Sequence, residues 1–166
     1  MNKNSRKLTF LALMIAFNFI FTSIFRIEGM APISSFMNIL AGIIMGPLYA
    51  FYMALTTGLL RIFILGAPPF ALTGAVFGAI LVGLLFKINH KNYMAMTGEF
   101  IGTGIIGAIA SYPLLILYTG TNSKLFWLMF IPKFCGAAII GIIISIIVLA
   151  KLQKTNIFKT ITSYFK

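Results

Sequence analysis

The feature that most constrains this chain is the length of its uncharged stretches. No Asp, Glu, Lys or Arg occurs from Leu8 to Phe25, from Phe36 to Leu60, or from Ile62 to Phe86. About 20 helical residues, each rising about 1.5 Å, cross the hydrocarbon core of a bilayer. Charged residues make up 9% of the 166, and apolar residues 60%, where a soluble domain carries roughly 25% charged residues. A soluble fold of this size could not hide so much apolar surface. The chain is expected to be an all-α polytopic membrane protein forming a single domain over 1–166. The first run is too long for a signal peptide, and Arg26 and Glu28 follow it rather than a small-residue cleavage site.

Six helices are predicted, at roughly 8–25, 36–46, 48–65, 70–87, 93–118 and 125–150, followed by a basic tail over 151–166. The apolar run from 36 to 65 is too long for one untilted span. It is divided at "MGPLYA", because Gly ends helices and Pro starts them. Helix 2 is then too short to span alone and needs protein around it or a thinned bilayer. The tail either lies on the inner membrane surface or is disordered.

Six spans put both termini on one side, and the cations choose which. Lys3, Arg6, Lys7, Lys87, Lys91, Lys151, Lys154, Lys159 and Lys166 gather on one face, nine of the thirteen Lys and Arg. Basic flanks orient helices toward the cytoplasm, so both termini and the 4–5 loop are expected inside the cell. The same rule accounts for the net charge of +11, with no need for a nucleic-acid partner. Arg26, Arg61, Lys124 and Lys133 fall in the outer half, against the rule.

Several kinds of chemistry find no residues to carry them. The chain has no GxxxxGK[ST], no GxSxG and no HExxH. His90 is the only His and Cys135 the only Cys, so neither a metal centre nor an internal disulfide is expected. The two carboxylates, Glu28 and Glu99, are far apart in sequence. No catalytic residue or cofactor is expected.

Glu99, Arg61 and Lys133 are the charges placed within helices. An ionised group at mid-bilayer costs about 2.5–3.5 kcal/mol on insertion scales, so such groups either face the protein interior and mark a site or snorkel from helix ends. In "GEFIGTGIIGAIASYP" (98–113), Glu99, Thr103, Ile106 and Ala110 share a helix face. Gly98, Gly102 and Gly104 let neighbouring backbones come close, as small residues do between membrane helices. Glu99 and Thr103 therefore form a possible intramembrane polar site. At the outer ends, Ser111, Tyr112, Tyr118, Asn122, Trp127, Phe130 and Lys133 either anchor the helices in the interface or build a pocket with aromatic walls. Ala12 and Ala16 form an AxxxA, a flat patch for another helix.

Three segments carry a family resemblance: "FMNILAGIIMGPLYAFYMALTTGLLR" (36–61), "ALTGAVFGAILVGLLF" (71–86) and "GEFIGTGIIGAIASYP" (98–113). Together with the helix 1 AxxxA, they make the chain resemble the substrate-binding S components of energy-coupling-factor vitamin transporters. Within that class it resembles the ThiW family, which takes up hydroxyethylthiazole, a thiamin precursor. After Arg61 this chain reads "IFILGAPPF" where thiazole-type sequences carry a Gly-Thr-Gly-Thr-like stretch, a departure that falls on the expected lid. The resemblance implies a six-helix protein of the bacterial cell membrane that captures its vitamin precursor from outside. It implies docking through Ala12 and Ala16 on a transmembrane coupling subunit driven by two cytoplasmic ATPases, then toppling and release inside. The expected pocket lies at the outer ends of helices 4, 5 and 6, closed by the 1–2 and 3–4 loops. Tyr112 and Trp127 would stack on the ligand ring, with Lys133, Asn38 and Arg61 supplying polar contacts. The alternatives are an S component for another vitamin or precursor, and a self-contained small transporter.

Overall fold

A computed structural model describes residues 3–25, 27, 30–120 and 126–165. Arg26, Glu28, Asn122, Lys124 and Lys166, named above, lie outside the described residues. The molecule is an all-α bundle of α1 (Lys3–Ile24), α2 (Pro32–Leu65), α3 (Ala71–Asn89), α4 (Asn92–Thr119), α5 (Phe126–Leu152) and α6 (Asn156–Phe165). The first five are long and apolar enough to cross a membrane. Their outward faces carry large apolar side chains, among them Phe17, Phe63, Leu117 and Ile143. This is the inverse of a soluble surface and suits a lipid solvent.

α2 folds back on itself. Within its 34 residues, Gly46 has φ 78° and ψ 178°, a left-handed-side conformation that costs a residue with a Cβ and costs glycine little. Pro47 follows and cannot donate to the preceding turn. The first arm (32–45) and the second arm (47–65) then return to the same end of the bundle. Asn38 and Arg61 line one cavity, whereas in a straight helix they would stand roughly 35 Å apart. Met37, Ala41 and Met45 of the first arm pack in one core cluster with Ala50, Met53 and Ala54 of the second. The break expected at Gly46–Pro47 is therefore a helical hairpin, and the described residues form six apolar helical segments.

Helix limits differ modestly from the sequence expectation. α1 begins at Lys3 because the polar residues before Leu8 continue the helix beyond its apolar stretch. α2 begins at Pro32, a residue preorganised for a first helical turn. The tail contains α6, which turns Phe158, Ile161 and Phe165 onto the core cluster. Phe165 meets the edges of Phe10 at 5.9 Å and Tyr49 at 5.0 Å. Lys7 lies over the rings of Tyr49 and Phe165, and Arg6 over that of Tyr164. Nearby, the side chains of Asn92 and Gln153 exchange two hydrogen bonds of 3.0 and 2.8 Å. The start of α1, the Gly46 turn, the α3–α4 connection and α6 thus share one end. The α2–α3 loop and the starts of α2 and α5 form the other.

α4 departs from a regular α-helix. Its middle, Phe100–Gly107, is π-helical. Glu99, Thr103, Gly107 and Ser111 are all buried at steps of four residues. A pure α-helix would rotate such a row steadily off one face; the wider π turn brings it back. This corrects the sequence-derived face, in which Ile106 and Ala110 followed Thr103: both are only partly buried. The π stretch lies against glycines of α3. A Cβ on Gly102 would come within 2.7 Å of Gly78 Cα, and one on Gly107 within 2.5 Å of Gly74 Cα. The glycines around Glu99 are there because two backbones touch.

Candidate functional site

At the end away from the chain termini lies a cavity of about 320 Å³, at the small end of the range for small-molecule pockets. Both arms of α2 contribute, Ser34 and Asn38 from the first and Arg61 from the second. Pro68 and Phe70 come from the α2–α3 loop, Gly74 from α3 and Thr103 from α4. Phe130, Lys133 and Phe134, one face of α5 at i, i+3 and i+4, complete the wall.

The wall on the α5 side is aromatic. Phe70 stands edge-on to Phe130 at 5.2 Å, and Phe130 lies 6.4 Å from Phe134. Tyr112 and Trp127 do not line this cavity. Their rings are 4.9 Å apart, and both pack on Phe126, which stacks on Phe130 at 4.2 Å. They stand one layer behind the wall and fix the ring that does face the space.

The floor is polar and tightly connected. Glu99 is fully buried and does not line the cavity. Thr103 Oγ1 lies 2.6 Å from its Oε1 and 2.9 Å from the Gly74 carbonyl oxygen, tying α4 to α3. Asn38 Nδ2 donates to the Ala75 carbonyl at 3.0 Å and lies 3.3 Å from Glu99 Oε2. Both neighbours are acceptors, which fixes the amide's orientation. Asn38 Oδ1 then has no partner among the described residues. Ser35 presents its hydroxyl to the same carboxylate. Room for this knot comes from Gly78: a Cβ there would strike Thr103 Oγ1, and would come within 2.6 Å of Glu99 Oε2 and 3.0 Å of Asn38 Nδ2.

Arg61 is buried, with 6% of its surface exposed, and Lys133 is half-buried. Of the residues singled out from the sequence, Asn38, Arg61, Thr103 and Lys133 meet at the cavity, with Glu99 directly behind. Ser111 joins Thr73 at 2.5 Å and the Phe70 carbonyl at 3.0 Å, bracing the α3 start against α4. Ala12 and Ala16 lie on an exposed face of α1, away from its buried row Met14, Asn18 and Thr22. The lining residues Ser34, Phe70 and Phe134 carried no distinguishing mark in a chain with 17 Phe; the one usable signal was the spacing of Phe134 from Phe130 and Lys133. Cys135 packs beside Gly104, its thiol 3.6 Å from that carbonyl. Among the described residues no cluster of His, Cys, Asp and Glu could hold a metal ion.

A family model described as thiamine-precursor transporter protein (ThiW) matches residues 8–155. No curated protein and no solved structure matches the chain.

Proposed function

The chain belongs to the ThiW family of thiamine-precursor transporters, and we propose that it acts there as the substrate-binding S component of an energy-coupling-factor transporter, capturing hydroxyethylthiazole. The observation that carries this reading is the cavity itself. It draws on both arms of α2, on α3, α4 and α5, and lies at the end opposite the cation-rich chain termini. With those termini in the cytoplasm of a bacterial cell, the cavity faces outward, as capture from the medium requires.

The proposed contacts follow from the lining. Phe70, Phe130 and Phe134 offer ring faces and edges to a heteroaromatic ring. Lys133 and Arg61 are donors for the ring nitrogen and the hydroxyl oxygen, and the Asn38 layer below is rich in acceptors. Tyr112 and Trp127 act by holding Phe126 and Phe130 in place. Ala12 and Ala16 present a flat, exposed strip to a transmembrane coupling subunit, which two cytoplasmic ATPases would drive. This chain would supply selectivity, and the ATPases the energy.

Native mass spectrometry of the protein purified from cells in rich medium tests the ligand: a bound mass equal to hydroxyethylthiazole is expected. Pull-down from cells expressing the whole transporter tests the module. Recovery of a coupling subunit and two ATPases is expected, and uptake by this chain alone in proteoliposomes without them would overturn the S-component role. A His90→Cys, Cys135→Ser variant in intact cells should resist an impermeant thiol reagent, because position 90 lies at the termini end.

A further inference from the structure

We infer that the cavity sorts its ligands by charge, admitting the uncharged precursor and excluding N-quaternised thiazoles, the intact vitamin among them, with Lys133 as the residue that enforces the choice. This deepens the reading of the cavity as a thiamine-precursor site and rests on it.

Two cationic side chains, Arg61 and Lys133, line the cavity, and no carboxylate does so among the described residues. The whole chain has two acidic residues. One of them, Glu99, is fully buried behind Asn38 and Thr103 and is engaged by both. Even if both glutamates were ionised and turned toward the two cations, the cavity would reach neutrality and no further. It has no surplus negative charge with which to hold a cation. Thiamine carries a permanent positive charge on its thiazolium nitrogen, whose lone pair is consumed by the bond to the rest of the molecule. The free thiazole keeps that lone pair, a hydrogen-bond acceptor that an ammonium can use.

One group therefore does two things. Lys133 shares a helix face with Phe130 and Phe134, so a ring lying on those side chains brings its nitrogen within reach of Nζ. For the free thiazole this is a charge-assisted hydrogen bond. For the thiazolium it is two like charges about 4–5 Å apart with no carboxylate between them among the described residues of the lining, a repulsion equivalent to about 100-fold or more in affinity at an effective dielectric near 20. The three phenylalanines give a cation some compensation through their ring faces, but Phe is a weak partner for that contact. Cavity volume alone would not make this distinction, because N-methylation adds a single carbon.

Calorimetry on the detergent-purified full chain tests the inference with hydroxyethylthiazole, its N-methyl thiazolium and thiamine. The wild type is expected to bind the free base at least 100-fold more tightly than either cation. In Lys133→Gln, the free base should weaken a fewfold while the gap to the N-methyl cation closes by about 100-fold, the size of the repulsion removed. Lys133→Met serves as the second variant, with the thermal midpoint of each compared with wild type to confirm folding. N-methyl thiazolium or thiamine binding within threefold of the free base would overturn the charge rule, and a gap unchanged in both variants would overturn the role of Lys133. If the thiazole alcohol fails to bind and the pyrimidine alcohol of thiamine binds instead, the thiazole reading falls. The charge rule is then decided by the pyrimidine against its ring-N-methylated cation. Binding of none of these compounds would overturn both.

Discussion

The two ends of the bundle are built from the same side-chain types and reach opposite results. At the end holding the termini, rings and cations fill the space: Phe165 sits between Phe10 and Tyr49, and Lys7 lies over the rings. At the other end, Phe70, Phe130 and Phe134 stand around a cavity with Arg61 and Lys133 in its wall. The difference lies in what is placed beside the rings. Near the termini a short helix, α6, brings its own apolar face and closes the gap. At the cavity, the neighbours are glycines and short polar residues of α3 and α4, whose backbones already touch. Their close approach leaves nothing long enough to reach across. Aromatic residues and cations thus mark a site only where the opposing surface is too small to fill.

The contrast can be broken most severely at the glycine seam. Gly78→Val should destabilise the protein by about 3 kcal/mol, the upper part of the overpacking range, because the new side chain meets Thr103, Glu99 and Asn38 at once. A collapse of the thermal midpoint in detergent is expected, and a midpoint within a degree or two of wild type would show that the polar side chains of the floor are not packed against Gly78.

Glu99→Leu comes next. Removing the carboxylate strands Asn38 Nδ2 and the Thr103 hydroxyl on one side, at a cost of about 1–3 kcal/mol for buried polar groups. Glu99→Gln, which keeps an acceptor, should recover most of the thermal stability. Equal losses in the two variants would mean that the hydrogen bonds of the floor contribute little.

Affinity separates the rings that face the cavity from those behind it. Phe130→Ala and Lys133→Ala should each weaken hydroxyethylthiazole binding by about tenfold, in line with about 1.4 kcal/mol per decade, with a lost ring contact contributing about 0.5–1.5 kcal/mol. Trp127→Ala, one layer back, should cost about threefold or less. A larger effect at Trp127 than at Phe130, measured by calorimetry, would relocate the ligand to the Tyr112–Trp127 pair.

The smallest effect belongs to the filled end. Phe165→Leu keeps most of the apolar area and loses the edge-to-face contacts, about 0.5–1.5 kcal/mol of stability. Ligand affinity should be untouched. A parallel loss of binding would show that the two ends are mechanically coupled.

The sequence was most legible where backbone chemistry is unambiguous. Gly46–Pro47 announced a break, and the spacing of uncharged runs gave the spans. That the break is a full reversal depended on which residues meet across it, and no local pattern carries that. The π stretch was hidden because glycine-rich apolar helix reads alike at periods of 3.6 and about 4.4. Intramembrane charge pointed to the cavity: Arg61 and Lys133 line it, and Glu99 lies buried behind its floor. Tyr112 and Trp127 stand one layer behind the cavity wall; amphipathic rings are conspicuous in a greasy sequence, while phenylalanines blend into it. Which Phe faces a cavity is decided by the short residues opposite, several helices away.

The hairpin at Gly46 also fixes a length. Asn38 and Arg61 reach one cavity because a set number of residues runs inward to the turn and another set runs back. Adding one residue to the returning arm would advance Arg61 by about 1.5 Å and swing it about 100° around the axis, off the cavity and into the neighbouring packing. Substitutions along that arm can be absorbed one contact at a time, but a change in its count shifts every later side chain in phase. The arm works as a ruler with its zero at the glycine, and evolution can repaint its markings far more easily than move them.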